Sequence, residues 1–236
     1  MNLFGATKKL RNGTPDAPRV VDKLLIFASE SSGASAFCHF LAQRPGCLAV
    51  IDLWSQAIMP AIDTPLPIVV KATATATYAA EDQIASFMPE RTILFIRDPV
   101  AVYSSLINYP YANHMGTVEE KMAKFDEQFA AGGFDLVLRY EDFAGRNVKL
   151  INAVAQLGWP CRAEYYNLTR TLDNIGRANA DASTWLRDNF NVRWGFGNIK
   201  PGGVSTKFSE RTYTEDAVQK VLKISPHLSR LYRTSI

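Results

Sequence analysis

The chain is 236 residues long, 47% hydrophobic, and carries 26 Lys and Arg against 23 Asp and Glu, a net charge of +3. That is ample for one sizeable α/β domain with a real hydrophobic core, and two domains are not required. The positive charge is spread along the chain rather than gathered in blocks, so nothing indicates a nucleic-acid surface, whereas a small anionic ligand fits.

Residues 1–21, with Asn12-Gly13, Pro15 and Pro18, read as a loosely ordered lead-in, and residues 22–236 as a single domain. No apolar run approaches a membrane-spanning length, and Met1 to Arg11 has no apolar signal core. The expectation is a soluble, cytoplasmic protein with no membrane span. Cys38, Cys47 and Cys161 are odd in number and lack metal-ligand spacing, so buried free thiols in a reducing compartment, and no metal, are expected.

Leu24 to Ala28 is a continuous apolar run of the kind shown by parallel strands covered on both faces. From Ala34 the apolar residues recur at helical spacing, as Ala34, Phe37, Cys38 and Leu41, with His39 assigned to the non-core side. Between them lies Ser29-Glu-Ser-Ser-Gly-Ala-Ser35, where Gly33 permits a tight turn and the next amides have no intrahelical partner. Such a helix start favours phosphate or sulfate, and the Ser32 and Ser35 hydroxyls are further donors.

A second strand is expected over 47–51, with Asp52 at its C-terminal end, and a third over 67–71, ending in Lys71. A helix follows near 78–87, then a fourth strand over 92–96 that Arg97-Asp-Pro99 terminates, with Pro99 opening the next helix. Thr117-Val-Glu-Glu120 reads as a capping box for a helix to about Ala131, and Gly132-Gly133 ends it. The fifth strand is expected over 134–138, with Arg139-Tyr-Glu-Asp142 at its exit, and an amphipathic helix then runs to Gly158. Residues 161–208 lose periodicity and read as an irregular cover or substrate loop, anchored by Trp185, Trp194 and Phe196. Within it Lys200-Pro-Gly-Gly203 has the character of a phosphate clamp, and Thr212-Tyr-Thr-Glu215 caps a helix that Pro226 breaks. This alternation predicts a three-layer α/β/α architecture around a central, mainly parallel sheet of about five strands, with ligands at the strands' C-terminal ends. Lys71, Arg97 and Asp52 all stand at such ends.

Three of these stretches, in this order, resemble the sulfotransferases that use 3′-phosphoadenosine-5′-phosphosulfate (PAPS). Ser31-Ser-Gly-Ala-Ser35 is similar to that family's Lys/Arg-Ser-Gly-Thr-Thr loop for the 5′-phosphosulfate. Arg97-Asp-Pro, with Ser105 eight residues after the Arg, is similar to its 3′-phosphate motif. Leu138-Arg-Tyr-Glu-Asp142 before a helix ending in Leu-Gly is similar to its Tyr-Glu-Asp segment. Lys200, Gly202 and Gly203 stand where the family often has a basic, glycine-containing loop reaching the 3′-phosphate. The chain departs in two ways: Ser31 replaces the loop cation and Ala34-Ser35 the Thr pair, and Lys71-Ala-Thr73 lacks the histidine of the family's Lys-Thr-His stretch.

The resemblance implies a P-loop-like sulfotransferase fold and transfer of a sulfuryl group from PAPS to a hydroxyl or amine, leaving adenosine 3′,5′-bisphosphate (PAP), without a metal. The implied donor-binding residues are Ser31, Ser32, Gly33, Ala34, Ser35, Arg97, Ser105, Tyr140 beside the adenine, Lys200, Gly202 and Gly203. Lys71 would act on the sulfuryl and bridging oxygens, and Asp52 as base, with Glu30 and His114 as alternatives. The acceptor would be a small molecule, a glycan or a lipid. Two other readings stand beside this one. An ATP-dependent phosphotransferase is disfavoured because the chain has no Gly-x-x-x-x-Gly-Lys-Ser/Thr. A catalytically impaired nucleotide-binding or interaction module is favoured by Ser31.

Overall fold

The computed structural model describes residues 19–50, 58–59, 61–108, 115–169 and 212–233. Asp52, His114, Lys200, Gly202, Gly203, most of the lead-in and most of the cover region lie outside these residues.

Five strands, β1 (Lys23–Ala28), β2 (Leu48–Val50), β3 (Ile68–Thr73), β4 (Arg91–Ile96) and β5 (Leu136–Arg139), form one sheet in the order β2-β3-β1-β4-β5. Every pairing is parallel, with Lys23 opposite Ile68 and Leu24 opposite Arg91. The strands are apolar on both faces because both faces are covered, as an all-parallel sheet requires. Leu24, Ile26, Val69, Ile93 and Phe95 pack toward α1 (Ala34–Leu41), α5 (Tyr140–Ala144) and α6 (Val148–Gln156). The alternate positions, Leu25, Phe27, Val70, Leu94 and Ile96, pack toward α2 (Ala80–Phe87), α4 (Val118–Ala131) and the last helix, α8 (Pro226–Arg233). A smaller cluster of Val102, Tyr103, Leu106, Met122 and Val221 joins α3 (Pro99–Leu106) and α7 (Glu215–Ile224) to α4.

The cap signals in the sequence set several of these boundaries. Thr117 Oγ1 accepts the Glu120 N–H at 3.2 Å and Glu120 Oε2 accepts the Thr117 N–H at 2.8 Å, the reciprocal capping box, and α4 ends at Gly132 with φ 74°. Pro99 opens α3 behind the Asp98 cap. The cap of α7 is Thr214, whose hydroxyl accepts from Ala217 N at 3.3 Å, two residues after the start of the expected cap segment. The helix α8 is held by a remote cap: the Asp126 carboxylate on α4 accepts the His227 and Leu228 N–H groups at 3.1 and 2.7 Å. Burial raises that carboxyl above its ordinary range, against the pull of these two N–H donors.

Three differences from the sequence reading have local causes. β5 begins two residues late because Asp135 is engaged sideways: its carboxylate accepts both Thr92 N and Thr92 Oγ1, at 2.9 and 3.0 Å. The segment after β5 is a helix, α5, too short to show a period. His39 does not lie on an open side of α1; it is buried with Phe37, Cys38, Phe40 and Leu41, because α1 is covered on most of its circumference. The 3-10 turn Ala163–Asn167 supplies part of that cover, with the Tyr166 ring 4.5 Å from Phe40 and its hydroxyl donating to Phe143 O at 3.0 Å.

Phe37 is central to the α1 side of the sheet: it is fully buried, stacks on Phe95 at 4.6 Å and meets Phe143 edge-on at 5.3 Å. Phe37→Ala is expected to cost about 3–5 kcal/mol in urea unfolding with an unchanged slope. A cost under about 1 kcal/mol would mean that this aromatic cluster does not hold α1 to the sheet.

Candidate functional site

The loop between β1 and α1 is closed by two residues of positive φ, Ser31 at 56° and Gly33 at 85°. For Gly33 the conformation and the space agree. A Cβ there would lie 2.5 Å from the Tyr140 ring, so only glycine lets the loop settle on that ring. Ser31 has a side chain and tolerates the left-handed region less well, at roughly 1–3 kcal/mol. It is held there by Arg97, whose NH1 donates to the Ser31 carbonyl at 2.7 Å. Ser32 is turned inward: its hydroxyl donates to Ser29 O at 2.7 Å and accepts the Ala34 N–H at 3.4 Å, so it braces the loop from behind.

Strand periodicity delivers the two cations. On β3, Ile68, Val70 and Ala72 belong to the α2 face, so Val69 and Lys71 face α1. Lys71 Nζ donates to Ser35 Oγ, in the first turn of α1, at 3.1 Å. Arg97 follows β4, and its guanidinium lies 4.4 Å over the Tyr140 ring. Both cations are over nine-tenths buried, at 7% and 8% exposure. Arg97 Nε has no hydrogen-bond partner among the described residues. Cations withdrawn from water this far are costly unless a counter-charge meets them, and the positive end of α1 lies here, with its Ala34 N–H held by Ser32 Oγ and its Ala36 N–H by the Gly33 carbonyl. The arrangement can hold an anion.

The structure thus brings together Ser31, Ser32, Gly33, Ala34, Ser35, Lys71, Arg97 and Tyr140. Ser105 is half-buried, about two turns into α3. Asp98 is the N-cap of α3, accepting Val100 N at 2.9 Å, and burial lifts its carboxyl above the usual range despite that bond and the nearby Arg97 and Arg139. Glu141 is a junction: one carboxylate oxygen accepts Asp98 N at 3.2 Å and the other the Tyr232 hydroxyl at 2.8 Å, with Arg139 Nε 3.9 Å away. It braces the exit of β5 against the exit of β4 and against α8.

Sequence reasoning missed one pair. Glu30, a candidate base, is bound to Lys121 Nζ at 2.5 Å, and Lys121 is only 4% exposed. The signal was present: Lys121 is flanked on its helix face by Val118, Met122 and Phe125, so a cation there needed a buried partner. The pair ties the loop to α4 and engages the Glu30 carboxylate.

These features define a three-layer α/β protein whose central strand, glycine-closed loop and helix are flanked by two buried cations. Among solved structures the chain is similar to the sulfotransferase domain of the Synechococcus PCC 7002 olefin synthase, at 15% identity and a TM-score of 0.54 over 93% of this chain and 97% of that one. It is also similar to mouse sulfotransferase SULT7A1 complexed with PAP, at 11% identity and a TM-score of 0.51 over 91% of this chain and 89% of that one. No family model matches the chain, and no curated protein matches it in sequence. The chain has the sulfotransferase fold.

Glu30→Gln is expected to destabilise by roughly 3 kcal/mol, because it strands a buried ammonium, and the double variant Glu30→Gln/Lys121→Met to recover most of the loss. Urea unfolding of the two variants checks this. Equal destabilisation of single and double variants would remove the pair as the loop's anchor.

Proposed function

We propose that the protein is a PAPS-dependent sulfotransferase. The observation that carries the reading is the convergence of two buried cations, Lys71 from β3 and Arg97 from the end of β4, on the loop that opens α1. The likeness to a sulfotransferase crystallised with PAP supports the same donor.

In this reading the N–H and hydroxyl of Ser35, at the start of α1, hold the 5′-phosphosulfate, on the loop that Gly33 lets settle against Tyr140. Arg97 and Ser105, with Lys200, Gly202 and Gly203, hold the 3′-phosphate, and Tyr140 adjoins the adenine. The acceptor oxygen or nitrogen forms its bond to sulfur as the bond from sulfur to the 5′-phosphate oxygen breaks, and charge builds on the departing PAP. Lys71 offsets that charge. It reaches the loop from a neighbouring strand and so supplies the cation that Ser31 does not. The acceptor's proton goes to Asp52, since the Glu30 carboxylate is engaged by Lys121. The acceptor is a small molecule, glycan or lipid, and no step requires a metal.

Ser31 also favours a second reading, a nucleotide-binding module with impaired turnover. Calorimetric titration with PAP, beside ATP with Mg²⁺, tests both. Selective PAP binding is expected, and Arg97→Ala should weaken it about tenfold or more, the loss of a charge-assisted contact. Lys71→Met should keep PAP binding within about threefold yet abolish transfer from labelled PAPS to an accepted alcohol or amine. Absence of PAP binding, or binding indifferent to Arg97→Ala, overturns the donor site. PAP binding with no turnover by the wild type selects the second reading.

A further inference from the structure

A cavity of about 350 Å³ lies on the other side of Arg97, between the start of α3, the end of β5 and the two C-terminal helices α7 and α8. Among the described residues, neither the loop at 31–35 nor Lys71, Ser105 or Tyr140 lines it. The separation follows from the backbone: Arg139 and Tyr140 are consecutive at the end of β5, so their side chains diverge. Tyr140 goes under Gly33 and Arg97, whereas the Arg139 guanidinium lies 4.3 Å over the Tyr232 ring of α8.

The polar groups of this cavity are unequally committed. Its two carboxylates are engaged by the fold, Asp98 as the cap of α3 and Glu141 by the Asp98 N–H and the Tyr232 hydroxyl. One donor is not: Ser229, only 4% exposed, has an Oγ with no hydrogen-bond partner among the described residues. Arg139 lies over Tyr232 and 3.9 Å from Glu141, and its Nε makes no hydrogen bond among the described residues. Arg233 adds a third guanidinium beside Arg97 and Arg139. A buried hydroxyl left without a partner is costly, and such groups mark places where a ligand or water completes the bonding. Pro99, Val218 and Leu222 supply an apolar wall, and the volume is at the lower end of small-molecule sites.

We propose that this cavity is a second binding site, for a small amphipathic anion: a sulfate, sulfonate or carboxylate head on a short apolar body. The head pairs with Arg139 and Arg233 and takes the Ser229 hydroxyl as donor, and the body lies along Val218 and Leu222. The site does not depend on the donor reading, because PAP binding is measured separately.

Calorimetric titration of the full chain with hexyl sulfate below its micellar range, and with inorganic sulfate, tests it. Hexyl sulfate is expected to bind one site, about tenfold or more tighter than inorganic sulfate, and to bind equally in saturating PAP. Val218→Trp fills the apolar wall and should weaken hexyl sulfate about tenfold or more while leaving PAP binding within about twofold. If Val218→Trp lowers the melting temperature, Leu222→Phe repeats the test from the next turn of α7. Ser229→Ala should also weaken hexyl sulfate, since it removes the donor without changing the cavity's shape. Any of four results overturns the proposal: no binding, equal binding of inorganic sulfate, displacement by PAP, or indifference to both wall variants.

Discussion

The closeness of Gly33 to Tyr140 sets the rest of the site. With the ring where a Cβ at position 33 would stand, the loop is pressed onto the end of β5, and the same ring carries the Arg97 guanidinium. Arg97 in turn fixes the Ser31 carbonyl, which keeps a serine in a backbone conformation it would otherwise leave. Three sequence segments far apart in the chain are thus interlocked through one aromatic face. Lys71 completes the enclosure from the opposite side of β1, because β3 and β4 flank that strand in the sheet.

Much of this was readable in the sequence because it rests on short-range rules. Apolar runs marked all five strands, Pro99 and the Thr117 box marked helix starts, and Gly132 and Gly158 marked helix ends. The candidate loop, Arg97 and Tyr140 were found at strand ends, which is where a parallel sheet gathers its ligands. Lys71, read as the end of its strand, lies two residues inside β3, which runs to Thr73 in step with Ala28 of β1. What escaped was long-range or brief. Nothing local distinguishes an Asp135 that bonds Thr92 sideways from one that enters a strand, or a Ser32 that faces inward from one that faces a ligand. A helical wheel puts His39 on the non-core side of α1 but does not show that this side is covered too, and the structure buries it there. The Glu30 and Lys121 pair joins residues on different elements, so sequence showed the need for a partner but not its identity.

The electrostatic layout divides along the faces of the sheet. On the α1 side, cations approach a loop rich in N–H donors, with the local carboxylate Glu30 already neutralised by Lys121. At the ends of β4 and β5 the carboxylates of Asp98 and Glu141 serve the architecture, capping α3 and pinning α8. Burial pushes the Tyr232 phenol well above its usual range, so it stays a donor to Glu141 throughout the physiological span of pH. The carboxylates here organise structure, and the two cations Lys71 and Arg97 converge on the loop.

The strand order also has a consequence for how the chain is made. β1, the centre of the sheet, precedes both its partners, β3 and β4, in the chain, with Lys23 waiting for Ile68 and Leu24 for Arg91. β1 does not pair with β2, the strand that follows it, and the consecutive pairs β2–β3 and β4–β5 are parallel, joined by long connections rather than hairpins. Until β3 is synthesised, β1 has both edges open, and one edge stays open until β4 follows. Topologies of this kind fold slowly and expose sticky intermediates. The β1–α1 unit therefore waits, unpaired at its edges, for strands that follow much later in the chain, and non-local pairing of that kind is what slows folding.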